Sequence, residues 1–258
     1  MAQQMTQQPE RIDPFIHRLM VISGPVLVAA IVIGMIPLAH FLPAPDPAAS
    51  GRQIADMFVA NRTPIRIACL LMMVCFAFFA TWASEITVWV RKMEPGFPVL
   101  TYACIACVGC ATVMFEVIPM TWAVAAYRPD AIDPDITRAL NDWTWYAFLY
   151  SWPSFGVWLL LIALAILRDA SGHQHLPRWV GYQCIWVAIL ISPAGMIAFT
   201  KTGPFAYNGW LALWVPFVVF FAWMVAISVN LVKAIKAEEL RQAVDEAGET
   251  SLLQGAVG

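Results

Sequence analysis

Six stretches of the chain are apolar over about twenty residues or more, and short polar segments separate them. They run at about 18–42, 65–90, 98–127, 143–167, 179–200 and 206–232. A hydrocarbon core about 30 Å thick is crossed by roughly 20 residues of helix. Inside it every backbone amide needs an internal partner. Each run therefore reads as a membrane-crossing α-helix. The expected fold is all-α, a polytopic membrane helical bundle of about six transmembrane helices. Residues 1–16 read as a polar N-terminal tail, 17–234 as the transmembrane domain, and 235–258 as a cytoplasmic C-terminal helix and tail. The first apolar run is longer than the apolar part of a signal peptide, so it reads as a retained span rather than a cleaved signal.

The polar segments predict two further helices on the membrane surface. In PAPDPAASGRQIADMFVANRTP, Ser50 or Asp46 is a candidate cap, and Ile54, Met57 and Phe58 share one helical face. In RPDAIDPDITRALND, Asp133 reads as an N-cap, with Pro134 in the first position and Asp135 in the first turn. Prolines break the pattern within the spans. The first holds Ser23-Gly24-Pro25 and Pro37, predicting two kinks. Pro119, Pro153, Pro193 and Pro216 fall in the third to sixth spans.

Composition agrees with a membrane protein. The chain of 258 residues is 60% hydrophobic and 12% charged, with mean hydropathy +0.69, whereas a soluble domain is about a quarter charged. The net charge of −2 and the absence of a basic block give no reason to expect nucleic acid. All six cysteines lie in apolar runs and read as reduced packing residues. Lys and Arg number nine on the side of the termini and six on the other. That bias places both termini in the cytoplasm. Of the 12 tryptophans, Trp89, Trp122, Trp143, Trp145, Trp179 and Trp210 fall near span ends, as an interfacial belt requires.

Two acids sit inside spans. Glu85 lies near the cytoplasmic end of the second and is within snorkelling reach of Arg91 or Lys92. Glu116 lies about eleven residues, roughly 17 Å of rise, from the outer end of the third. A charged group at that depth costs about 2.5–3.5 kcal/mol on insertion scales. It needs a polar cavity or a partner, or it stays protonated. Asn141, Asp142 and Tyr146 open the fourth span, Lys201 ends the fifth, and Tyr207, Asn208 and Trp210 open the sixth. With the proline interruptions, these seven residues and Glu116 are the candidate ligand-binding set of an outer-half cavity.

Cys104, Cys107 and Cys110 recur every three residues, but one straight helix does not wrap three thiolates around a metal, so helix packing is the better reading. His173 and His175 form an HQH in a polar loop with no third ligand in view and read as solvated. His40 lacks a second axial histidine for a haem. No metal site and no cofactor are expected, and no nucleotide or hydrolase motif is present.

LPRWVGY (176–182), KTGPFAYNGW (201–210) and RALNDW (138–143) resemble segments of a family of bacterial six-helix integral membrane proteins of uncharacterised function. The resemblance implies the architecture and a multi-pass inner (plasma) membrane location. It implies no activity. The expected function is binding or transport of a small lipophilic molecule around Glu116. The alternatives are a membrane enzyme of isomerase or cyclase type, with Glu116 as general acid or base beside Asp142 or Tyr146, and a non-catalytic subunit. Expected partners are the lipid bilayer, the lipophilic ligand, and an oligomer or membrane partner protein.

Overall fold

The computed structural model describes residues 11–257, with side chains through residue 248. Most of the expected N-terminal tail therefore lies outside the described residues. Six helical stretches are long and apolar enough to cross a membrane: Pro14–Leu38, Arg62–Met93, Val99–Ala125, Pro134–Leu167, Arg178–Ala198 and Trp210–Gly248. Among the described residues there is no strand. The chain is an all-helical, multi-pass membrane protein.

Local chemistry explains where the boundaries fall. Asp13 caps α1 (Pro14–Ile33) by accepting from the amides of Phe15 and Ile16. The helix thus begins four residues before the expected span, with Pro14 in its first turn. Pro25 sits inside α1 without ending it, and the chain then passes into a π-helical turn at Gly34–Leu38 around Pro37. Of the two expected kinks, only the second changes the helix type. The first surface helix is present as α2 (Gly51–Ala60), closed by a reciprocal capping box between Ser50 and Gln53. The second span divides at Ala77 into α3 (Arg62–Phe76) and α4 (Phe78–Met93). The third is the single helix α5 (Val99–Ala125).

The second surface helix is corrected. Asp133 and Pro134 do start a helix, but it runs unbroken as α6 (Pro134–Tyr150) into the fourth span. Thr137, Asn141 and Thr144 are fully buried, so its polar face meets neighbouring helices rather than headgroups. The interruption comes later, at Ser151, before α7 (Trp152–Leu167). The fifth span is α8 (Arg178–Ile191) followed by a 3-10 segment, Ser192–Ala198, opened by Pro193. The sixth starts as a π-helical turn, Trp210–Trp214, and continues as α9 (Val215–Val257), which carries the charged C-terminal stretch without a break.

Helix α5 is central, packing on α3, α4, α6 and α7, while α1 packs between α4 and α9. The core is aromatic. Trp82 packs edge-on to Trp158 and Trp223, and Phe79 contacts Phe115, Phe155 and Trp158. The buried indoles find polar partners where they can: Trp82 Nε1 donates to Ser228 Oγ at 2.9 Å and Trp223 Nε1 meets Cys184 Sγ at 3.1 Å. The expected tryptophan belt is corrected in half its members. Trp143, Trp179 and Trp210 are exposed, but Trp89, Trp122 and Trp145 are fully buried core residues. Ion pairs Arg11–Glu246, Arg18–Glu239 and Lys92–Glu238 tie α9 to the segment before α1, to α1 and to α4. Both ends of the described chain therefore lie on one side of the bundle.

The start of α5 has no side-chain cap at Pro98. Glu94 replaces it from the preceding turn, accepting from the amides of Leu100 (2.6 Å) and Thr101 (3.0 Å) and from the Thr101 hydroxyl (2.8 Å). Burial alone would raise the Glu94 carboxyl, but these hydrogen bonds and the nearby Arg91 hold it below its ordinary value. A depressed folded-state pKa contributes stability that is present above the ordinary carboxylate range and lost as pH falls through the folded value. Glu94→Gln is expected to cost about 1 kcal/mol at pH 7, as for loss of a helix cap. In unfolding titrations of solubilised protein, the gap between wild type and variant should close in acid. A gap independent of pH would show that the carboxylate charge is not what holds the helix start.

Candidate functional site

Glu116 lies on α5 roughly nine residues, or about 13 Å of rise, from Ala125. That is close to the middle of a 30 Å hydrocarbon layer. Its side chain points outward and is exposed, so it faces lipid rather than the bundle core. It has no hydrogen-bond or ion-pair partner among the described residues. One turn further out on the same stripe of α5, Pro119, Met120 and Ala123 form one wall of a groove. Residues three, four and seven apart lie on one helix face, so Glu116 stands at the foot of that wall. The opposite wall is α3, through Cys69, Leu70 and Met73. Arg66 and Tyr127 frame the mouth, the guanidinium 5.9 Å from the ring centroid. The groove is about 440 Å³ and apolar except at its mouth.

Most of the other predicted residues gather elsewhere, in an outer cluster around the start of α6. Tyr207 donates to Asp142 Oδ1 at 3.4 Å and stacks on Trp145 with ring centroids 5.7 Å apart. Lys201 and Arg138 act electrostatically on Asp142. Tyr146 donates to the Ile197 carbonyl at 3.1 Å. Asn141 is fully buried and accepts from Trp122 Nε1 at 3.4 Å. Asn208 is half-buried beside Tyr207, and Trp210 is exposed. These contacts fasten α6 to the 3-10 segment and the loop after it, through Ile197 and Tyr207, and to α5 through Trp122. They do not include Glu116, because Trp122, which meets the cluster, projects from a different face of α5. The single outer cavity expected from the sequence is thus two places. Asp142 and Tyr146, the expected acid–base partners of Glu116, are committed to Tyr207 and Ile197.

The proline interruptions divide in the same way. Pro119 belongs to the groove. The breaks in the fourth, fifth and sixth spans surround a separate apolar cleft lined by Phe115, Ser151, Trp152, Ile191, Pro216 and Phe220, among others. That cleft holds only about 70 Å³, against roughly 300–1,000 Å³ for an ordinary small-molecule site. The α3–α5 groove falls inside that range.

The side of the termini carries polar chemistry that the sequence pattern concealed. Glu85 is 2% exposed. It does not reach Arg91 or Lys92. Its carboxylate binds His17 Nδ1 of α1 at 2.7 and 2.9 Å and accepts from Trp89 Nε1 at 2.8 Å. Trp89 in turn packs edge-on to His175, 5.6 Å away. Asp169 organises the loop between α7 and α8, accepting from Ser171 Oγ at 2.6 Å and from the His175 amide at 3.0 Å. Burial would raise the Asp169 carboxyl, but the hydrogen bonds from Ser171 and His175 hold it below the usual range. A pocket of about 320 Å³ opens here between Trp89, His175, Asn230, Lys233 and Arg241. Cys104, Cys107 and Cys110 go from buried to exposed around α5 and do not converge. No family model, curated protein or solved structure matches this chain.

Proposed function

We propose that the chain is a bacterial inner-membrane protein, its termini cytoplasmic, that binds or carries a small lipophilic molecule in the α3–α5 groove. The observation that supports this best is an apolar, ligand-sized groove opening to lipid with an unpaired acid at its foot. The groove buries an acyl or isoprenoid body. Arg66, with its guanidinium near the interface, suits a polar or anionic end. Glu116 accepts from or donates to a polar group carried to mid-membrane, which offsets its own desolvation. Ala106, Gly109 and Cys110, exposed on the same broad face of α5, favour a second reading, in which a partner helix covers Glu116.

The test is mass spectrometry of small molecules retained after gentle purification. Wild type should hold one lipophile in stoichiometric amount. Ala123→Trp, which fills the groove, and Glu116→Gln should each lose most of it while remaining folded. Retention in Ala123→Trp would sink the groove as the site. A co-purifying protein lost in Gly109→Leu, with no small molecule in wild type, would establish the subunit reading instead.

A further inference from the structure

His173 and His175 come from the loop between α7 and α8. Glu238 comes from α9, at the other end of the chain. The structure brings one ligand atom from each within 4.8 Å of the others. We propose that these three side chains form a binding site for a divalent transition ion of the zinc type. The site is separate from the α3–α5 groove and independent of what that groove binds.

Three features support it. The first is the donor set. Two imidazoles and one carboxylate are a set that Zn²⁺ uses when a coordination position is left for water or substrate. Hard cations such as Mg²⁺ and Ca²⁺ favour all-oxygen sites. The second is the support behind His175. Its side chain is 6% exposed, and Asp169 Oδ2 lies 3.2 Å from its Nδ1. A carboxylate behind a ligating histidine fixes the ring and leaves Nε2 to face the ion. Asp169 is itself held by Ser171, so the loop is set before any ion arrives. Gly172, at φ +83°, supplies a left-handed turn just before the HQH, and the His173 and His175 rings lie 5.3 Å apart. The third is access. His173 is exposed, and the pocket of about 320 Å³ lies against His175.

The cationic surroundings of Glu238 set the expected pattern of effects. Its carboxylate pairs with Lys92 Nζ at 3.2 Å and with Arg241 Nη1 at 3.2 Å. Lys92 holds Oε1 and Arg241 holds Oε2, so a metal at either oxygen meets the positive charge of Lys92 beside it. Removing the lysine should therefore tighten metal binding, an outcome that a merely structural role for these residues would not give.

The experiment is a Zn²⁺ titration of full-length protein purified in detergent without a polyhistidine tag. Calorimetry and elemental analysis give affinity and stoichiometry, and Co²⁺ substitution reports geometry through its visible absorption. Wild type is expected to bind one ion per chain. His173→Ala and Glu238→Gln should abolish stoichiometric binding. Asp169→Asn should weaken it roughly 10–100-fold. Lys92→Met should tighten it roughly two- to fivefold, the reciprocal of a partly exposed ion pair. His40→Ala, outside the site, should bind as wild type. His173 is exposed, so its replacement leaves the fold intact, which circular dichroism checks. No stoichiometric uptake by folded wild type, or equal uptake by wild type and His173→Ala, would overturn the site.

Discussion

Glu85→Ala is expected to destabilise the solubilised protein by about 3 kcal/mol or more, the range for removing one partner of a buried pair. The carboxylate is buried and serves two donors, His17 on α1 and Trp89 on its own helix. Deleting it leaves a buried indole N–H and a part-buried imidazole N–H without their acceptor, and a buried donor left unpaired costs about 1–3 kcal/mol. The cavity left by the side chain adds to this. His17 is less buried, with 16% of its side chain exposed, so His17→Phe should cost less, because Trp89 still satisfies Glu85. Replacing both, as His17→Phe with Glu85→Leu, removes the His17–Glu85 pair together and should recover the part of the loss that is not due to the Trp89 N–H left without its acceptor. Denaturant unfolding of wild type, His17→Phe, Glu85→Leu and the double variant gives the coupling directly. Additive costs would mean that the 2.7 Å contact does not hold α1 against α4.

This pair also shows what the sequence could and could not reveal. The depth of Glu85 and Glu116 was legible, because apolar runs set the scale of the spans. The direction each acid faces was not. Helix α5 is apolar all round, so its pattern has no polar stripe to mark the outside. Glu116 was expected to look inward and looks at lipid. Glu85 was expected to reach basic residues on its own helix and instead meets a histidine one span away. Partners from different spans have no signature in a single chain, and Glu238 beside His173 and His175 is another case. The helix starts that were legible had local codes: Ser50 with Gln53, and Asp133 with Pro134. Asp13-Pro14 is the same code as Asp133-Pro134 and predicts the start of α1, though the apolar run alone placed it four residues late. Buried Trp89, Trp122 and Trp145 looked like an interfacial belt because a core tryptophan near a span end has the same sequence position as a belt tryptophan.

Gly24→Ala should destabilise the bundle, and the sign of its effect should depend on one other residue. A Cβ at Gly24 would overlap Cδ1 and Nε1 of Trp82. Trp82 cannot easily withdraw. It is fully buried, donates to Ser228 on α9, and is wedged against Trp158 and Trp223 at 5.9 and 5.6 Å between ring centroids. Forcing a methyl into such packing costs about 1–3 kcal/mol, occasionally more. A shifted indole would also give up the Ser228 hydrogen bond. Against this stands the intrinsic gain of about 1 kcal/mol from alanine over glycine in a helix. In the wild-type background the clash should win, with a net loss of about 2 kcal/mol. In a Trp82→Leu background the obstructing ring is gone, so the same Gly24→Ala change should be neutral or stabilising. Unfolding free energies of the two singles and the double decide it. A similar loss in both backgrounds would show that Gly24 is required for the α1 backbone itself, whereas a reversal of sign would identify it as the seat for the Trp82 ring. That ring locks α1, α4 and α9 together through a contact only glycine permits.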